Sequence, residues 1–97
     1  MDIEFRHGGT LFVWHYAKAS ENEHRHGVEF FEAVTVFHDP LFVLTDASVE
    51  AEARQKAIGF SSDGHLLAVV HVEVDSEYLR IISAWRASAA EEAIYDQ

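Results

Sequence analysis

The sequence has no cysteine, a single proline, and only 7 lysines and arginines against 17 aspartates and glutamates. Without cysteine there is no disulfide framework and no thiolate metal ligand, which suits the cytoplasm. A formal charge of −10 at pH 7 repels phosphate backbones at long range, so any nucleic-acid site has to be locally positive. The same acidic surface suits a basic protein partner. No apolar run approaches the roughly 18–20 residues a membrane span needs. The opening MDIEFRHGGT lacks a basic region followed by an apolar stretch, so neither a membrane segment nor an export signal is expected. What is present, 48 % hydrophobic and 25 % charged residues over 97 positions, is the composition of one globular domain with a single core.

Along the chain, residues 3–6 alternate weakly, His7-Gly8-Gly9 marks a turn, and Thr10–Trp14 reads as a strand. Residues 1–11 are thus an N-terminal extension or an extra strand, and the two segments suit a short hairpin. From about Tyr16 to His26 good helix formers predominate, and Gly27 sits where a left-handed C-cap is wanted. Phe30, Ala33, Val34 and Phe37 fall at i, i+3, i+4 and i+7, one apolar face of a second helix that Asp39-Pro40 stops. Leu41–Thr45 reads as a strand. A polar loop over 46–53 leads to a meander of three strands, with 65–74 the most apolar and therefore central. Ser88 and Glu91 form the S-x-x-E pattern of a capping box for a last helix. The expectation is an α+β domain: an antiparallel sheet of about four strands, two N-terminal helices and one C-terminal helix.

Seven histidines invite a metal reading, which their spacing does not support. His24 and His26 lie about 200° apart around a helix and cannot easily share an ion, and no H-E-x-x-H pattern occurs. Nor is there a nucleophile elbow or a glycine-rich phosphate loop. No metal or other cofactor is expected. The basic residues are more informative. Arg54 opens a meander strand, and Arg80 and Arg86 lie six apart on the last one, an even spacing that puts both on one face if the strand is regular. His71 and Glu73 share a face of the central strand for the same reason. A carboxylate, an imidazole and guanidiniums are the groups a metal-free ribonuclease uses as base, acid and phosphate clamp. The competing reading is that these arginines pair with the abundant carboxylates on a solvated sheet face.

An ordered series of motifs shifts the balance toward the first. Trp14 with Ala17-Lys18, HGVEFFEAVTVFHDP at 26–40, Arg54 followed by Ile58-Gly59, GHLLAVV at 64–70, RIISAWRA at 80–87 and Tyr95 together resemble the BrnT toxins of bacterial type II toxin–antitoxin systems. The resemblance runs from about Phe12 to Tyr95. It implies a RelE-like fold and a metal-independent endoribonuclease that cuts RNA through 2′-hydroxyl attack and arrests translation. It implies as partner a BrnA-type ribbon-helix-helix antitoxin, through which alone the protein would reach DNA, and it leaves room for a homodimer within a heterotetramer. By position it points to Lys18, His26, Arg54, Glu73, Arg80 and Arg86, with Glu73 as base and His26 or His71 as acid. Lys18, Arg25 and Trp85 are assigned to RNA binding. The chain departs from the family pattern in four places. His15 replaces an aspartate, Arg25 a lysine and Trp85 an arginine, and the C-terminal helix is acidic. These departures favour a second reading, in which a weakened or inactive member serves as an antitoxin-binding protein in operon control.

Overall fold

The computed structural model describes all 97 residues. Its elements are β1 (Asp2–His7), β2 (Thr10–His15), α1 (Tyr16–His26), α2 (Phe30–Ala33), a 3₁₀ turn (Val34–His38), β3 (Val43–Asp46), β4 (Gln55–Phe60), β5 (Leu66–Val74), β6 (Tyr78–Arg86) and α3 (Ala89–Tyr95). The strands form one sheet in the order β1-β2-β6-β5-β4-β3.

This corrects the expected sheet in number and in kind. There are six strands rather than about four, because the hairpin β1–β2 and the short β3 both join the sheet. The sheet is mixed, because β2 runs parallel to β6, with Phe12 opposite Leu79 and Val13 opposite Arg80. All other pairings are antiparallel. The second N-terminal helix is also corrected. Only one α-turn forms, and Val34–His38 tightens to 3₁₀. Val34, Thr35 and Val36 are β-branched and stiff at χ1, and the Thr35 hydroxyl donates to the Glu32 carbonyl at 2.6 Å, diverting that acceptor. The tightened segment lies close on β4, where a Cβ at Gly59 would stand 2.9 Å from the Phe42 Cβ and 3.0 Å from Val36.

Helix α1 occupies the span its composition indicates. Gly27 closes it at φ +71°, a conformation glycine adopts without a Cβ clash, and donates its N–H to the Glu23 carbonyl. Phe12, Trp14, Phe30, Val34, Val36, Leu67, Val69, Ile81 and Ala84 form the core between the sheet and the α1–α2 layer. Each large side chain there contributes about 1.5–3 kcal/mol of apolar burial. On the opposite, outer face the short α3 covers only part of the sheet. It is anchored by a complete capping box and by Glu91, which accepts from Trp85 Nε1 at 3.0 Å and pairs with Lys56 at 2.8 Å. Burial pushes the Glu91 carboxyl up, but Lys56, the Ser88 N–H and Trp85 together hold it below the ordinary carboxylate range.

Two features of β6 position the groups near its free end. Beyond Arg80 its edge is not covered by β2, and α1 lies along it instead. The buried Asn22 carboxamide substitutes there for a neighbouring strand: Nδ2 donates to the carbonyls of Ala84 and Val28 at 2.9 and 3.1 Å, and Oδ1 accepts from the Ala84 N–H at 3.1 Å and the Ser83 hydroxyl at 2.9 Å. The second feature is a β-bulge. Val70 pairs with Ser83 and His71 with Ile81, leaving Ile82 unpaired.

Candidate RNA-binding and active site

The outer face left open by α3 holds a cavity of about 230 Å³ lined by Lys18, Arg54, Arg80, His15, Glu52 and Ile82. Each cation arrives for a local reason. Arg80 stands opposite Val72 on the outward side of the alternation, and its guanidinium lies 5.9 Å from the centre of the Tyr78 ring. Arg54 enters from the loop before β4 and is paired with Glu52. Lys18 comes from the first turn of α1, one turn beyond His15. His15 is the N-cap, whose Nδ1 accepts from the Ala17 N–H at 3.2 Å. Three of the chain's seven lysines and arginines therefore meet in one cavity of a strongly acidic protein.

A second cleft, of about 150 Å³, shares Lys18 and Ile82 with the first and adds Arg25, His26, Asn22, Ser83 and Glu21, which pairs with Arg25 at 3.8 Å. On α1 the positions 15, 18, 22, 25 and 26 fall at i, i+3, i+7, i+10 and i+11, one stripe along the helix. The two clefts form a basic track along α1 and the free end of β6. Trp85 shares the outward face with Arg80, and its ring centre lies 6.1 Å from that of His26. Its indole N–H, however, is already committed to Glu91.

Lys18, Arg54 and Arg80 are thus together, with Arg25, His26 and Trp85 adjoining. Glu73, His71 and Arg86 stand elsewhere. His71 pairs with Ile81 on the helix-facing side, is 3 % exposed, and packs edge-on against Phe37 at 4.9 Å. Burial holds it below the usual imidazole range, only partly offset by the Val69 carbonyl and Glu73. Glu73 pairs with Leu79 on that same side and lines a separate depression with Arg6 and Tyr78. Arg86 is opposite Leu67, a core residue, because the Ile82 bulge inserts one residue between it and Arg80 and reverses the alternation. Arg86 instead faces Glu32. Burial raises the Glu32 carboxyl, but Ser61, His65 and Arg86 outweigh that and hold it low. The cavity also contains two groups not singled out as site residues from the sequence, His15 and Glu52. The signal for His15 was its place on β2 one residue beyond Trp14, on the outward side.

For a metal, the nearest approach to a ligand set is Glu32, Asp63 and His65, whose ligand atoms lie within 4.8 Å of one another. Glu32 and His65 already satisfy each other at 2.7 Å, and none of the three lines the basic track. No helix is long and apolar enough to cross a membrane.

Over residues 14–91 the sequence matches the family described as the ribonuclease toxin, BrnT, of type II toxin–antitoxin systems. In three dimensions the chain is similar to the ribonuclease toxin BrnT of Brucella abortus, known from a 1.1 Å crystal structure. The TM-score is 0.61 and the identity 27 %, over 77 % of this chain and 92 % of that one. No curated protein sequence matches. With most of its length inside the family match, the chain belongs to the BrnT family of ribonuclease toxins of type II toxin–antitoxin systems.

Proposed function

We propose that the protein is a metal-independent endoribonuclease acting on single-stranded RNA in the cytoplasm, where it arrests translation. The observation that carries this reading is the convergence of Lys18, Arg54 and Arg80 on one cavity of a chain with net charge −10. Glu52 offsets only one of these charges, and a phosphodiester supplies a further anion for the cluster. Lys18, Arg54 and Arg80 hold the scissile phosphate and stabilise the charge that grows on it as the 2′-oxygen attacks and the 5′-oxygen leaves. Arg25, His26 and Trp85 meet the neighbouring nucleotides along α1. A BrnA-type ribbon-helix-helix antitoxin neutralises the toxin and carries the DNA contacts of the pair.

One observation favours the alternative, an antitoxin-binding member with little catalysis. Glu73, the expected base, and His71, one of the two expected acids, lie across the sheet from the cations, which leaves His26, His15 and the Arg54-paired Glu52 as the proton-transfer groups at hand. Incubation of single-stranded RNA with the purified protein in EDTA separates the two. Fragments ending in 2′,3′-cyclic phosphate are expected. Intact RNA in the presence of folded protein would leave the binding role alone, and cleavage that appears only with added metal would rule out the mechanism.

A further inference from the structure

Helix α1 has a second side. Tyr16, Ala19 and Glu23 point away from the basic track into a groove of about 260 Å³, closed by Ile3 of β1, Trp14 of β2, and Phe30 and Phe31 of α2. Phe31 is 52 % exposed and Tyr16 59 %. The Phe31 ring nevertheless has a fixed seat, edge-on to Phe5 and to Trp14 at 5.0 Å each. The charged residues lining the groove are Glu23 and Glu29, with no lysine or arginine among them. One wall, β1, lies wholly outside the family-matched segment of residues 14–91.

We propose that this groove is where the antitoxin docks, through an amphipathic segment with a bulky apolar anchor flanked by lysine or arginine. The apolar floor calls for the anchor, and the wholly acidic rim calls for the basic flanks. Charge also argues against the other obvious occupant. A second copy of this chain would bring another −10 to an acidic rim. Because β1 supplies Ile3 and Phe5, the N-terminal strand sets which antitoxin fits. Neutralisation then acts from the back of α1, leaving the basic track to RNA. This rests on the reading that the chain is held by an antitoxin; it adds where the antitoxin sits and what its contact segment is made of.

The test is binding of the purified product of the neighbouring reading frame to the full chain, by titration calorimetry at two salt concentrations. Phe31→Asp is expected to weaken binding about 30-fold or more, as loss of a central anchor does. The paired charge reversal Glu23→Lys with Glu29→Lys, which touches only exposed side chains and guards against a folding defect in the first variant, is expected to weaken it about tenfold and to remove most of its salt dependence. RNA cleavage by both variants is expected to match wild type. Binding that survives both changes but is lost in Arg80→Ala would place the antitoxin on the basic track and overturn the proposal alone. So would a wild-type dimer, seen by sedimentation, that Phe31→Asp converts to monomer. Failure of wild type to bind would overturn the antitoxin reading, and this proposal with it.

Discussion

The two sides of α1 make opposite surfaces from the same eleven residues. On one, Lys18, Arg25 and His26 join Arg54 and Arg80 around a polar track. On the other, Tyr16, Ala19 and Glu23 join four apolar residues from β1, β2 and α2 around a groove with an acidic rim. Net charge describes neither side. The protein is acidic overall and basic where phosphate would bind, because a rotation of about 100° per residue sorts neighbouring side chains onto different faces. A surface average is therefore a poor guide to function in a domain this small.

Three changes would break or sharpen that contrast. The largest effect is expected from Arg54→Ala with Arg80→Ala, which removes two phosphate contacts and should lower RNA cleavage by on the order of 10³ or more. In fluorescence-anisotropy titrations, the slope of log affinity against log salt for single-stranded RNA should become shallower by about 1.4. An unchanged slope would mean that RNA lies elsewhere. Next is Asn22→Ala, which removes the carboxamide that pins α1 to β6. With the buried Ala84 N–H and C=O left unpaired, a loss of about 3 kcal/mol is expected. Thermal unfolding should shift down by more than about 10 °C, and RNA and antitoxin binding should weaken together, since both surfaces share that helix. A loss confined to one partner would show that the two sides are mechanically independent.

The smallest effect concerns His71, which belongs to neither side. Burial lowers its pKa in the folded protein, whereas the unfolded chain takes up a proton below the ordinary value of 6.5. Its contribution to stability is therefore complete above pH 6.5 and declines as pH falls below it. Between pH 7.5 and 5.5 in urea unfolding, wild type should lose more stability than His71→Gln. Equal losses would show that the imidazole is protonated in the fold.

Much of the local structure was legible in the sequence. The span of α1 and its glycine cap, the meander and the Ser88–Glu91 box all follow from rules that act within a few residues. The features that were not legible are non-local. The parallel pairing of β2 with β6 depends on where α1 is seated, which no window along the chain reports. The second helix has helical spacing at Phe30, Ala33, Val34 and Phe37, yet its β-branched run and close packing on Gly59 tighten it. For the site, Arg54, Arg80 and Lys18 were legible as a group only through the family motif. Counting in twos misplaces Arg86, because the strand contains an extra residue. RIISAW carries no signal for that bulge.

The parallel pairing of β2 with β6 also bears on the order of events during synthesis. Lys18, Arg54 and Arg80 come from three well-separated stretches, and the partner strand for β2 begins only at Tyr78. Contacts so distant in sequence form late and slowly. A chain still threading out of the ribosome has its N-terminal hairpin and α1 long before β6 emerges to complete the cavity. The basic cavity thus appears only when synthesis is nearly finished.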